Sequence, residues 1–497
     1  MRKILFVTSE AHPLIKTGGL ADVAGSLPRA LLKLGHDIKI LLPAYASVLI
    51  KADAAGLKKL TQLSIHGQDI NILQTRLPGS RVTVLLADIP QFSERDGNPY
   101  CNPDGNDWDD NHWRFFLFAK VAEAIALNQA NIDWQPDVVH CNDWQTGLVP
   151  ALLTQATALA PATKPATIFT IHNMAYRGLF SHQAFAEMGF PQDYWHHEKL
   201  EFYGQMSFLK GGLAFADAVT TVSPSYAQEI KSPEFGCGMD GVLRFRAKDL
   251  SGILNGIDMD EWNPGADKLI HHNYNRRTIN QKVKNKTHLQ AQLGLPVSET
   301  IPLLGFIGRL VEQKGVDLLL EQMNQLLMLD CQLVVLGSGF DSYEQALTKI
   351  AQQHPDKVSV TLGYNEDFAH QIEASADIFL MPSIFEPCGL NQIYSLRYGT
   401  LPVVHAVGGL RDTVIEAVQN NPAVENEIDD VSNGFVFTKA TAEDLHRAIK
   451  RALTCYQHPE QWKKLQINAM KQDFSWEKSA QLYENIYEKI LENSMAA

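Results

Sequence analysis

The chain is short of several things. Only six of its 497 residues are cysteine (Cys101, Cys141, Cys237, Cys331, Cys388 and Cys455), and no two form a C-x-x-C pair. That excludes a disulfide framework and a thiolate zinc site, and it fits a reducing compartment. Positive charge is short too: 43 Lys and Arg against 56 Asp and Glu leave a net charge of −13. Nucleic acid and anionic membranes are poor partners for such a surface. An anionic ligand would need a few placed cations and backbone amides to overcome the average repulsion. No apolar run is long enough to cross a bilayer. The opening "MRKILFVTSEAHP" has too short an apolar stretch for an export signal, so the cytoplasm is the expected location. There is no low-complexity tract, and no G-x-G-x-x-G follows the first strand-like run.

What the chain does have is a long alternation of apolar runs and helical stretches. The runs "KILFV", "IKILL", "VTVLLA", "DVVH", "TIFTI" and "VTTV" lie in the first half, and "LLGFIG", "QLVVLG", "VSVTLG", "DIFLM", "LPVVH" and "GFVF" in the second. Most are continuous rather than alternating, which marks strands covered by helices on both faces. Helical spacing appears in "DLLLEQMNQLLML" and "AEDLHRAIKRAL" and in the closing "FSWEKSAQLYENIYEKILEN". The length calls for two domains. The expectation is therefore α/β, with two open parallel sheets wound as Rossmann-like units. The break falls near "LSGILNGIDMDEWNPG", where glycine, proline and polar residues cluster and the strand count restarts. The basic segment "NYNRRTINQKVKNK" reads as a surface loop running into a helix.

A short pattern occurs twice, "GGLADV" from Gly18 and "GGLRDT" from Gly408, each after a strand-like run and before a helical stretch. A lone Gly-Gly pair is commonly a tight turn. A helix N-terminus approached by bare backbone also suits a phosphate. "FIGRLVEQKG" places Arg309 at the end of a strand and Lys314 before a helix. Such a pair is either ordinary surface charge or, at the C-terminal edge of a parallel sheet, a seat for a diphosphate.

"KTGGLADV", "DVVHCNDWQTGLVP", "TIHNMAYRG", "SFLKGGL", "LNGID", "GRLVEQKG", "FEPCGLNQ" and the final "FSW" together resemble the bacterial glycogen synthases and plant starch synthases, over nearly the whole chain. The resemblance implies the type B glycosyltransferase fold, two Rossmann-like domains facing across a cleft that closes on substrate. It implies an acceptor-side domain over 1–250, a donor-side domain over 251–471 and a helix over 472–497 that returns to the first. It implies retaining transfer of glucose from ADP-glucose to the non-reducing end of an α-1,4-glucan, glycogen or a maltooligosaccharide. No cofactor is expected, and no metal, because Arg309 and Lys314 can supply the charge a divalent ion supplies elsewhere. The same fold with UDP-glucose or a small-sugar acceptor is one alternative. A silent glucan- or nucleotide-sugar-binding protein is another.

Residue by residue, the resemblance puts Lys16, Gly18, Gly19 and Asp22 beside the donor's phosphates or sugar. Arg309 and Lys314 hold the diphosphate, and Glu386 contacts glucose. The amides around Cys388, Gly389 and Leu390 orient sugar hydroxyls, with Gly408 and Gly409 at the second glycine turn. Asp143, His172 and Asn255 match sugar-side positions. Tyr364 and the Gly337–Gly339 turn are candidates for adenine and ribose. Plainer readings stand beside these: Asp143 as a helix cap, His172 as a satisfied core histidine, Cys388 as a small buried residue, Trp144 as core. The family's frequent second glutamate, eight positions after the first, is Tyr394 here, and Val407 stands where a hydroxyl residue often precedes the second glycine pair. Retention by double displacement or by same-face attack stays open, the latter with a backbone carbonyl near His172 steadying positive charge.

Overall fold

The computed structural model describes residues 1–54, 56–159, 164–417 and 429–496. The chain divides into two compact units, Met1–Gly256 together with the stretch from Trp476 onward, and Ile257–Ser475.

The first unit contains β1 (Lys3–Val7), β2 (Asp37–Pro43), β3 (Lys58–Ile65), β4 (Gln68–Arg76), β5 (Thr83–Asp88), β6 (Val138–Asn142), β7 (Ala166–Ile171), β8 (Leu179–Phe180), β9 (Glu201–Phe202), β10 (Gln205–Ser207), β11 (Ala218–Thr221) and β12 (Leu250–Gly252). Nine of them form one sheet in the order β12-β11-β7-β6-β1-β2-β5-β4-β3. Every neighbouring pair from β12 to β5 is parallel, and β4 and β3 continue antiparallel at the edge. β6, β7 and β11 are buried along their whole length, as their unbroken apolar runs require. The polar-laced edge strands "KKLTQLSI" and "QDINILQTR" are absent from the run of expected strands. β12 lies at the expected break, and its pairing with β11 carries the first unit on to Gly256.

The helix Trp476–Ala496 belongs to this unit. Its Tyr483, Tyr487 and Ile490 enter the core. The Tyr487 hydroxyl lies 2.8 Å from His140 Nδ1 on β6, and the Ser479 hydroxyl donates to the Leu254 carbonyl at 2.6 Å.

The second unit has one parallel sheet of β13 (Leu303–Ile307), β14 (Gln332–Gly337), β15 (Val358–Leu362), β16 (Ile378–Met381), β17 (Leu401–His405) and β18 (Phe435–Phe437). The order is β15-β14-β13-β16-β17-β18. All six apolar runs of the second half are strands. The expected helix "DLLLEQMNQLLML" is two short ones, Val316–Glu321 and Met323–Leu327, parted at Gln322.

Both sheets reverse their strand order next to their first strand. β1 lies between β2 and β6, and β13 between β14 and β16. Loops leaving the C-terminal ends of such strands diverge and leave a crevice for a ligand. The loops after β1, β6 and β7, and after β13, β16 and β17, hold nearly all the residues singled out from the sequence.

Candidate active site

In the first unit the loop after β1 is built around Glu10. This buried carboxylate accepts bonds from the Thr17 amide and hydroxyl, from the Gly18 amide and from the Tyr100 hydroxyl. The Gly18 N–H is therefore engaged within the protein. A Cβ on Gly18 would meet nothing within 4 Å, so the approach there is open. Lys16 Nζ lies 2.9 Å from Asp22 Oδ1 in the first turn of the helix Gly19–Lys33.

After β6, Asp143 adopts φ +56° and ψ −179°, a left-handed conformation uncommon for a residue with a side chain. It does not cap the 3-10 turn Trp144–Thr146. Its carboxylate instead accepts from the backbone N–H groups of His172 (2.7 Å) and Asn173 (3.3 Å), tying the β6 loop to the β7 loop. Burial raises its pKa to about 7, against the lowering effect of those two N–H groups. His172 Nε2 lies 3.0 Å from Asn142 Oδ1, whose amide nitrogen donates to the Val7 carbonyl. Asn142 thus presents an acceptor, so His172 carries its proton on Nε2 and leaves Nδ1 as an acceptor. Burial drives the His172 pKa down to about 3, so the ring is neutral. Trp144 is core, in edge or tilted contact with Phe115 and Phe180. Asn255 is buried, and its Oδ1 has no hydrogen-bond partner among the described residues. An acceptor left in that state invites a ligand hydroxyl.

In the second unit Lys314, after β13, meets Glu386, after β16. Lys314 Nζ lies 2.6 Å from Glu386 Oε2, which also accepts from the Ser383 hydroxyl at 2.9 Å. Arg309 donates to the Gln313 side chain at 3.1 Å, and Gln313 in turn donates to the Phe385 carbonyl at 3.3 Å. The cations and the acid of "GRLVEQKG" and "FEPCGL" are therefore one cluster at the switch point of the sheet. Gly315 (φ +69°) is required: a Cβ there would sit 2.0 Å from the Pro382 carbonyl oxygen.

Residues 3–245 match the family model of the starch synthase catalytic domain, and residues 291–468 that of glycosyl transferases group 1. A glycogen synthase of Cellvibrio japonicus is 67% identical over 98% of this chain and 99% of its own length. One from Marinobacter nauticus is 50% identical over 99% and 98%. The chain belongs to the glycogen synthase family. It is a retaining glycosyltransferase. The solved catalytic domain of starch synthase IV from Arabidopsis thaliana, bound to ADP and acarbose, matches with a TM-score of 0.87 at 32% identity over 99% of both chains. A sucrose-phosphate synthase from Thermosynechococcus elongatus matches with a TM-score of 0.60 at 18% identity over 99% of this chain and 100% of its own, and shares the fold. The fold is the type B glycosyltransferase architecture.

The enzyme treats its two glycine turns differently. Gly18 and Gly19 are exposed, whereas Gly408 and Gly409 are buried. A Cβ on Gly408 would lie 1.9 Å from the Glu386 carbonyl oxygen, and one on Gly409 2.1 Å from that of Cys388. The Gly409 N–H donates to the Glu386 carbonyl at 3.1 Å. The second turn thus buttresses the Glu386 loop, and its Gly409 amide is already used. Cys388 is buried, and Gln392 donates to the Cys388 and Gly389 carbonyls at 2.9 and 3.0 Å. The N–H groups of Gly389 and Leu390 bond to no acceptor among the described residues. Gly337 and Gly339 let their turn lie against the Arg309 loop: a Cβ on either would come within 2.1 Å of the Gly308 or Leu310 carbonyl oxygen. Tyr364 is 70% exposed and donates to Glu366 at 2.9 Å. Tyr394, at the place of the absent second glutamate, is buried and stacks on Trp262 with ring centres 3.6 Å apart. Val407 is core as well. Glu10, Asn142, Gln313 and Ser383 are site residues that the sequence motifs do not single out. Asn142 and Gln313 lie inside recognised motifs and Glu10 and Ser383 within a few residues of one, and that placement is the available signal.

Proposed function

We propose that the enzyme transfers glucose from ADP-glucose to the non-reducing 4-hydroxyl of an α-1,4-glucan, with retention, releasing ADP in the cytoplasm. The second unit serves the donor and the first the glucan. The observation that carries this reading is the Arg309–Lys314–Glu386 cluster at the switch point of the second sheet. Breaking the glycosidic bond builds negative charge on the departing β-phosphate oxygen. Arg309 and Lys314 are fixed cations that stabilise that charge, work that a divalent ion does elsewhere. Glu386 then contacts the transferred glucose.

The ion pair bears on the route. A carboxylate bonded to an ammonium and a hydroxyl is a poor nucleophile, which supports same-face attack with the leaving phosphate taking the acceptor's proton. Asp143 and neutral His172, tied to each other through the His172 amide, present polar atoms to sugar hydroxyls. The buried Asn255 Oδ1 takes another. The glycogen synthase relatives and the ADP-bound starch synthase support the choice of donor and acceptor.

The test is incorporation of radiolabelled glucose into glycogen from ADP-glucose and UDP-glucose in parallel. Incorporation with strong preference for ADP-glucose is expected. Preference for UDP-glucose would overturn the donor assignment, and incorporation from neither would overturn the reading of the chain as a glucan-extending enzyme.

A further inference from the structure

The turn between β9 and β10 breaks a local rule. Phe202 pairs with Gln205, so Tyr203 and Gly204 form a two-residue hairpin loop. Their φ angles are +50° and +80°. A turn with both central residues left-handed favours Asn-Gly or Asp-Gly. Tyrosine is strained there, and such strain persists where something else selects the side chain. Packing does not select it, because the residue is 83% exposed.

The hairpin beneath the ring is nevertheless well held. Phe202, buried beneath it, meets it edge to face at 4.8 Å and 85°. The buried Lys210 ammonium donates to the His197 and Glu201 carbonyls and fixes the strand before the turn. The neighbouring loop passes with a bare backbone: a Cβ on Gly238 would lie 3.1 Å from Phe202 Cζ and 3.4 Å from Tyr203 Cε2. Arg177 joins these parts, donating to the Cys237 carbonyl at 3.2 Å with its guanidinium 5.8 Å from the Phe202 ring. Arg177 follows Tyr176, itself 49% exposed, on the segment that leaves His172 and pairs with the hairpin through β8. A bare aromatic ring thus stands on a hairpin that pairs with the segment leaving His172.

A pyranose presents an apolar face of C–H bonds, and a rigid exposed ring binds such a face at little entropic cost. We propose that Tyr203 is an aromatic platform that stacks on a glucose unit of the acceptor glucan, several units from the one being extended. This rests on the glucan-extending reading given above.

The experiment compares wild type, Tyr203→Asn and Tyr203→Phe for kcat/KM on maltotriose and on maltoheptaose, with thermal unfolding alongside. Asn suits the turn, so Tyr203→Asn is expected to melt at or above the wild-type temperature. It is nonetheless expected to lose about fivefold in kcat/KM on maltoheptaose, the loss of one ring stack, and under about twofold on maltotriose. Tyr203→Phe keeps the ring and the wild-type ratio of the two acceptors. Equal losses on both acceptors, or none on either, overturn the platform while leaving the reaction assigned. A wild-type enzyme that extends neither acceptor overturns the functional reading and the platform with it.

Discussion

Glu10 holds the Lys16 loop by accepting four bonds with one buried carboxylate. Carboxylate acceptors make stronger bonds than neutral ones. Glu10→Gln keeps the shape but removes the charge that strengthens all four bonds, and its amide nitrogen at Oε1 would make the Thr17 and Tyr100 hydroxyls turn round to accept. The expected cost is about 2 kcal/mol of stability in the first unit. Thermal melts check this, and an unchanged melt would refute the organising role. The residues that carry charge, Lys16, Arg309, Lys314 and Glu386, are legible in the sequence because short motifs surround them. The residues that aim them are not. Glu10 bonds a residue 90 positions away, and Gln313 one 72 positions away, and such pairings exist only once the sheets are wound. Asp143 shows the same limit: helix capping is a fair reading of "NDW", but its left-handed backbone turns the carboxylate toward the β7 loop instead.

Among elements, strands buried on both faces are the easiest to read. A short continuous apolar run bounded by turn residues suits little else, and the whole second sheet follows from six of them. Edge strands escape for a physical reason. β3 and β4 have one wet side, so polar residues interrupt them, and they pair antiparallel beyond the last covered strand. The β8–β10 sheet escapes because its strands are two or three residues long, too short for a period. The repeated Gly-Gly turn misleads by symmetry. Equal spelling hides unequal duty: Gly18 borders open space, while Gly408 and Gly409 are the only fit for a loop that touches the backbone of Glu386 and Cys388.

The whole molecule should be sensitive to acid through its first unit. His140 lies between the Tyr487 hydroxyl and Thr170 Oγ1 at 2.8 and 2.7 Å, and burial lowers its pKa to about 3, as it does for His172. The unfolded chain takes up these protons near the ordinary histidine value of 6.5, whereas the folded chain refuses them until about pH 3. Their contribution is therefore fully present above about pH 6.5 and is lost as pH falls toward 3. Each histidine costs about 1.4 kcal/mol per pH unit within that window. Urea unfolding at pH 7.5, 6 and 5 should show the decline, and His140→Gln, though less stable overall, should lessen it. A variant with the wild-type pH slope would contradict this origin of the acid sensitivity.

The central claim is that Arg309 and Lys314 act on the leaving diphosphate rather than merely anchoring the donor. Only stabilisation that grows in the transition state raises turnover, whereas uniform binding appears in KM. The direct measurement is kcat and KM for ADP-glucose at saturating glycogen in Lys314→Gln and Arg309→Ala. Circular dichroism and melting confirm the fold, since Lys314→Gln also leaves Glu386 with Ser383 in place of its cation. The expected result is a fall in kcat of at least about 10²-fold in each variant, with a smaller change in KM. A near-normal kcat with loss of affinity alone would contradict it.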